Sequence, residues 1–64
     1  MNIYIVVVGN WYNSNTDVCG VFSSIEKAEH QEAPSGWFID HIEVWHLNGN
    51  YIRSFYPEES EEEE

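Results

Sequence analysis

Residues 20–29, which read GVFSSIEKAE, carry the strongest local folding signal in the chain. Within this stretch, the pattern Ser-Ser-Ile-Glu at residues 23–26 is a capping box, in which a serine hydroxyl accepts from the third helical amide and Glu26 returns to the amide of Ser23. The helix that begins here should end before Pro34, because proline cannot continue a helix. The pattern therefore predicts a helix of about ten residues.

Strand patterns lie on both sides of this helix. The β-branched run at residues 3–8 predicts a central strand covered on both faces, and residues 17–22 resume a strand pattern after a turn-rich stretch that contains two aromatic residues. Residues 37–47 predict a third strand. The pair Asn48-Gly49 then favours a two-residue type I′ hairpin turn into a fourth strand.

This turn fixes the expected register of the last hairpin. The predicted opposite pairs are Ile42 with Phe55, Glu43 with Ser54, Val44 with Arg53, Trp45 with Ile52, and His46 with Tyr51. Each face then holds apolar residues that one short helix cannot cover completely. The expected fold class is α+β, a single small antiparallel sheet of about four strands in ββαββ order with one helix on one face. Some uncovered surface should meet another chain, most simply in a homodimer.

The junction at residues 20–29 resembles the strand-to-helix element of small α+β proteins encoded by bacteria and their phages. Those proteins share an N-terminal strand rich in Val and Tyr, a G-V-F/Y-S-S-x-E-x-A junction, a helix, and a strand in which Ile and Glu alternate. The likeness extends over most of residues 3–47, and the junction is its specific part. It implies a ββαββ domain of unknown function and brings no catalytic residue with it.

Composition narrows the partner classes. The 64 residues include twelve Asp and Glu against two Lys and Arg, which gives a formal net charge of −10. Such a chain is not expected to bind nucleic acid directly or to lie on an anionic membrane. Six of the twelve acids fall in residues 58–64, where six like charges predict a disordered acidic tail. Residues 1–57 are expected to form one domain.

The expected location is the cytoplasm. Cys19 is the single cysteine, so the chain has no internal disulfide and suits a reducing compartment. The apolar run at residues 3–8 is too short to span a membrane and follows no cationic segment of the kind that a secretory signal carries.

Residues of catalytic or metal-binding type are present but are spaced unfavourably. On a regular strand, His41 and His46 project from opposite faces, and so do Asp40 and Glu43. Cys19 lies in a strand pattern, where a small buried apolar role is the simpler interpretation. There is also no glycine-rich phosphate loop. We therefore expect no metal site, no cofactor and no enzymatic activity.

Aromatic residues favour an interaction surface instead. Trp and Tyr dominate the energetics of many protein contacts, and ten of the 64 residues are Phe, Trp or Tyr. The apolar residues of the strands and helix already supply a core, so several aromatics exceed what so small a monomer can bury. An interface and simple packing explain them about equally well. The candidate partner-binding aromatics are Trp11, Tyr12, Trp37 and Trp45.

The acidic residues have two interpretations. Glu26, Glu29 and Glu32 lie three apart and would form a negative stripe on the predicted helix, which with the tail could dock on a basic, nucleic-acid-binding surface of a partner protein. Alternatively, they form a solvated helix face and a solubilising tail. The sequence thus predicts a non-enzymatic protein-binding module, plausibly a phage-type or accessory inhibitor or modulator of a host protein. The alternative is a small structural or regulatory homodimer whose acidic tail only aids solubility.

Overall fold

The computed structural model describes residues 1–57 of the chain. The predicted acidic tail at residues 58–64 lies outside the described residues. The elements follow one another as β1 (Asn2–Asn10), β2 (Thr16–Phe22), α1 (Ile25–Glu29), β3 (Trp37–His46) and β4 (Tyr51–Phe55). The strands form one sheet in the order β2-β1-β3-β4, with antiparallel pairing throughout. The prediction that the first strand is central in the sheet is confirmed, since β1 pairs on both sides.

The predicted α+β fold with a helix packed on one face is wrong, because the chain is mostly antiparallel sheet and its only described helix is a short segment. Helix α1 has five residues, which at about 1.5 Å per residue is roughly 7.5 Å. Strand β3 has ten residues, or roughly 33 Å at about 3.3 Å per residue. A helix of this length covers a patch of the sheet and leaves the rest of that side open.

The hydrogen bonds change at the end of α1. The carbonyl oxygen of Glu26 accepts from the amide of His30 and lies 2.7 Å from the Nδ1 atom of the same residue. The amide of Gln31 then donates to the carbonyl of Ala28, three residues back, which tightens the last turn. The helix therefore stops several residues before Pro34, the residue that was expected to end it.

The N-cap of α1 is Ser24, one residue later than predicted. Ser24 has extended backbone angles, and its hydroxyl oxygen accepts from the amide of Lys27 at 3.4 Å. We expect Ser24→Ala to lower the free energy of unfolding by at most about 1 kcal/mol, because this bond is long and the helix is short. Urea unfolding of Ser24→Ala and Ser23→Ala measures the difference. A larger loss in Ser23→Ala would contradict the assignment of the cap.

The β3–β4 hairpin has most of the predicted register but not the predicted turn. Ile42, Glu43 and Val44 face Phe55, Ser54 and Arg53 as expected, whereas a bulge after Val44 places Trp45 opposite Tyr51 instead of Ile52. The connection spans residues 47–50, and a positive φ occurs at Asn48 but not at Gly49. A type I′ turn needs both, so that prediction is wrong. A Cβ at Gly49 would lie 2.8 Å from the Cβ of His46, which explains the glycine.

The core lies between the sheet and α1. Val6, Ala28 and Ile42 are almost completely buried and form its centre. Five partly buried residues pack around them, namely Tyr4, Cys19, Phe22, Ile39 and Phe55. All of the strand residues in this group point to the same side of the sheet, which we call the helix side.

The opposite side of the sheet, which we call the open face, has no element of the described residues packed over it. Alternation along the paired strands places on it Ile3, Ile5, Val7, Val18, Val21, His41, Glu43, Trp45 and Tyr51. Val21 is 58% exposed and Val18 is 56% exposed. These two exposed residues belong to β2, whereas on β1 itself Val7 is only 8% exposed on this side.

No helix within residues 1–57 is both long enough and apolar enough to cross a membrane.

Candidate functional site

The four aromatic residues predicted to bind a partner fall at two separate places. Trp37 begins β3 and pairs with Asn10, whereas Trp45 is close to the other end of the same strand and pairs with Ile3. They are eight positions apart in the strand, which corresponds to roughly 26 Å. Trp11 and Tyr12 lie in the β1–β2 loop, near Trp37. The structure thus brings together three of the four residues and leaves Trp45 apart.

We call the first group, Trp11, Tyr12, Trp37 and the adjacent Phe38, the aromatic end. The ring of Trp11 packs against that of Phe38, with the ring centroids 4.6 Å apart. Trp11 is 66% exposed and Tyr12 is 86% exposed. These are large apolar areas to leave in water on so small a domain.

Hydrogen bonds hold the loop that carries these aromatics. The amide of Asn10 donates to the carbonyl of Asn15, and the amide of Tyr12 donates to the Oδ1 atom of Asn10. The amide of Trp11 donates to the carbonyl of Gly36 at 3.0 Å, which joins the β1–β2 loop to the loop before β3. Exposed aromatic side chains on a fixed backbone lose little conformational entropy when they bind.

The loop before β3 owes its shape to a glycine. The amide of Trp37 donates to the carbonyl of Pro34, and Gly36 between them has a φ of +88°. A positive φ at the third position of such a turn is typical of type II geometry, which glycine adopts without steric cost.

A cleft of about 300 Å³ lies beside the aromatic end. Its lining residues come from three strands and the loop before β3, and they are Val8, Asp17, Val18, Cys19, Pro34 and Trp37. Its walls present polar and apolar atoms in similar amounts, and its one charged side chain is that of Asp17. A cleft of this size accepts a large apolar side chain but is at the lower limit for a small-molecule site.

The three acids predicted to form a helix stripe do not share one helix face. Glu26 and Glu29 belong to α1, but Glu32 lies in the loop after it because the helix ends at Glu29. The carbonyl of Glu32 accepts from the Nε2 atom of Gln31 at 2.9 Å. Glu32 therefore lies on the loop that leads to Pro34 and the cleft.

The structure also contains a polar cluster that the spacing of these residues in the sequence did not predict. In this cluster, which we call the His41 cluster, the Nδ1 atom of His41 lies 3.0 Å from Oδ2 of Asp40 and its Nε2 atom lies 2.9 Å from Oε2 of Glu43. The indole N–H of Trp45 donates to Oε1 of Glu43 at 3.0 Å. The prediction that Asp40 and Glu43 project from opposite faces is wrong.

A β-bulge accounts for this cluster. Val7 pairs with His41 and Val8 pairs with Ile39, so Asp40 is an extra residue in β3. An extra residue locally bends the strand and redirects side chains, which lets Asp40 and Glu43 reach the same imidazole. The sequence carries no glycine or proline at this position that would have indicated a bulge.

The His41 cluster shifts the pKa of two of its members. Partial burial disfavours the charged imidazole, but the hydrogen bonds to Glu43 and Asp40, together with their negative charges, outweigh it and raise the pKa of His41. The hydrogen bond from His41, followed by that from Trp45, lowers the pKa of Glu43. The cluster therefore favours an imidazolium held between two carboxylates.

Within residues 1–57, no group of three or more His, Cys, Asp and Glu side chains has the geometry to hold a metal ion.

Comparison with known proteins places the chain in a family. The family described as "Domain of unknown function (DUF7336)" matches residues 1–64. The chain belongs to this family. This agrees with the uncharacterised small domain that the junction at residues 20–29 indicated. No curated protein and no solved structure matches the chain, so the family brings no ligand or reaction to the site.

Proposed function

We propose that this chain is a non-enzymatic protein-binding module that contacts its partner with the aromatic end. The observation that carries this proposal is the high exposure of Trp11 and Tyr12 on a loop whose backbone is hydrogen-bonded at both ends. Exposed Trp and Tyr side chains on a fixed backbone are typical of binding hot spots. The neighbouring cleft gives a partner side chain a place to enter.

The charges around this end favour a basic partner. Asp17 lines the cleft, and Glu32 lies on the loop that leads to it. The chain's two basic side chains lie elsewhere, Lys27 on α1 and Arg53 on β4, where the guanidinium lies over the ring of Phe55. We therefore infer that the partner presents an apolar side chain to the cleft and Lys or Arg residues around it.

The surroundings of Cys19 and His41 favour binding over catalysis. The Sγ atom of Cys19 lies 3.4 Å from the Nε2 atom of Gln31 and 3.9 Å from the carbonyl oxygen of Glu32. Neither group accepts a proton from a thiol to form a nucleophile. His41 has both ring nitrogens bonded to carboxylates and so is not free to act as a base toward a substrate.

The resemblance at residues 20–29 gives this proposal its biological setting. A small acidic factor of bacterial or phage origin, acting in the cytoplasm, would inhibit or modulate a host protein by covering a basic surface. The negative charge of residues 58–64 would raise the rate of association with such a surface.

Capture experiments with matched variants test the proposal. The full chain is immobilised and exposed to bacterial lysate at low and at high salt, and the captured protein is then purified and titrated by calorimetry. We expect Trp11→Ala and Tyr12→Ala each to raise the dissociation constant at least about tenfold. Leu47→Ala is the control, because Leu47 is also exposed, at 49%, but lies in the β3–β4 turn.

The control should change the dissociation constant by less than about threefold, and binding of the parent chain should weaken as salt rises. A partner that binds the parent and all three variants equally well would show that the aromatic end is not the binding surface.

A second candidate function, a structural or regulatory homodimer, is favoured by a different observation, the uncovered open face.

A further inference from the structure

We infer that the open face of the sheet is covered in solution by a second copy of the same chain. This inference concerns the part of the open face around Val21, Glu43 and Trp45, and its test does not require the proposed partner. It rests on three features of the open face, which are its apolar content, the state of its polar groups and its area.

The exposed apolar content lies mainly on the two edge strands, β2 and β4, and at the end of β3. Val18 and Val21 are more than half exposed on β2, and Trp45 and Tyr51 meet edge to face with their ring centroids 5.7 Å apart. Ile5 lies between Val21 and Glu43 in the same cross-strand row. Uncovered apolar side chains on one side of a sheet are typical of a surface that another layer covers.

The polar groups at the centre of this face already have partners within the chain. Both oxygens of Glu43 and both ring nitrogens of His41 take part in the His41 cluster, and the indole N–H of Trp45 is bonded to it. The hydroxyl of Tyr51 lies 2.7 Å from that of Ser54. Such groups can leave water without losing a hydrogen bond, so their burial costs less than the burial of unpaired groups.

These internal hydrogen bonds also determine what kind of partner surface can pack on the open face. A basic partner would need free carboxylate oxygens, but those of Glu43 are engaged by His41 and Trp45. The better occupant is a surface of the same character, apolar with internally satisfied polar groups. The open face of a second copy has this character, and a two-fold axis places the two faces opposite each other.

The area is sufficient for a dimer. The four strands have nine, seven, ten and five residues. With strands about 4.8 Å apart and about 3.3 Å per residue, the face covers roughly 500 Å² in projection. Two such faces together reach about 1,000 Å², which is the lower limit for a specific interface and is smaller than the standard size of about 1,600 Å².

Stability gives a further reason for a second layer. The buried apolar side chains within residues 1–57 are limited to Val6, Val7, Val8, Ala28, Ile42 and Val44. Small domains with cores of this size commonly need an additional source of stability, and self-association is one.

Sedimentation equilibrium of the full chain over a range of micromolar concentrations tests the inference. The expected mass is twice the chain mass of 7.5 kDa. Val21→Glu and Val18→Glu place a charge on the open face at exposed positions, so each should raise the dimer dissociation constant at least about tenfold by burying an unpaired charge. Leu47→Glu adds the same charge at similar exposure in the β3–β4 turn and should remain dimeric.

Circular dichroism of each variant shows whether it is folded. If one of the two open-face variants does not fold, the other still tests the inference. A parent chain that is monomeric throughout would overturn the inference. So would a dimer that persists in both folded open-face variants, because it would have to form through another surface. These measurements use the purified chain alone, so they do not depend on finding the partner of the aromatic end.

Discussion

Replacing Ile42 by alanine should lower the free energy of unfolding by about 3 kcal/mol, the largest effect expected from any single change in this chain. Ile42 is fully buried, and it packs with Val6 and Ala28 where α1 meets the sheet. Truncation removes apolar contacts and leaves a cavity that rigid β-strands on either side cannot close. Native domains are stable by only about 5–15 kcal/mol, so this loss is a large share of the total.

The matched control is Ile52→Ala, which makes the same chemical change at an exposed position on β4. We expect it to cost less than about 1 kcal/mol. Urea unfolding followed by circular dichroism, at one fixed protein concentration for all variants, measures both. Equal losses at the two positions would contradict the placement of the core on the helix side.

The second large effect should come from Glu43→Ala. This change leaves the imidazole of His41 and the indole N–H of Trp45 without their shared acceptor, which should cost about 2 kcal/mol at pH 6. Glu43→Gln keeps an oxygen acceptor for one neighbour but removes the charge, so it should cost less. Unfolding in urea at pH 6 compares the two variants with the parent chain.

The same cluster predicts a pH window for stability. The pKa of His41 is raised on folding, so its contribution is complete below about pH 6.5, its unfolded value, and is lost as the pH rises through the higher folded value. The pKa of Glu43 is lowered, so its contribution is complete above about pH 4.3 and is lost as the pH falls through the lower folded value. Stability from the cluster is therefore greatest between about pH 4.3 and 6.5.

A variant of the His41 cluster and a control variant test this pH dependence of stability. Between pH 6 and pH 9 the parent chain should lose stability, and His41→Gln should lose much less over the same range. His46→Gln is the control, because His46 is exposed and lies outside the cluster. A His41→Gln variant that retains the alkaline loss of the parent would show that another group causes it.

Much of the sheet could be predicted from local sequence patterns. The β-branched run after Asn2 correctly indicates a central strand, and the opposite pairs Ile42–Phe55 and Val44–Arg53 follow from the position of the last turn. These features depend on residues close together in the chain, so the sequence contains the information that decides them.

The length of the helix and the bulge in β3 could not be predicted in the same way. The helix ends at Glu29, where the amide of Gln31 donates to the carbonyl of Ala28 and tightens the last turn, a feature that no periodicity indicates. The bulge at Asp40 depends on how β3 pairs with β1, and the His41 cluster exists only because of it. The spacing rule for regular strands therefore predicted the wrong geometry at Asp40, where the strand is irregular.

For the candidate binding residues, the sequence shows how many aromatic side chains there are but not where they lie relative to one another. The excess of aromatic side chains over the needs of a small core is visible in the sequence. That Trp11, Tyr12 and Trp37 meet at one end of the sheet, whereas Trp45 belongs to the open face, follows from the pairing of β1 with β3. The grouping of Glu26, Glu29 and Glu32 depended on a longer helix than the chain forms.

The most direct test of the proposed function is backbone amide hydrogen exchange of the full chain, measured alone and with its captured partner bound. The account predicts that the partner slows exchange in the β1–β2 loop, at residues 10–15, and in residues 34–38. Slower exchange confined to α1 or to the strands of the open face, with these two loops unchanged, would contradict it.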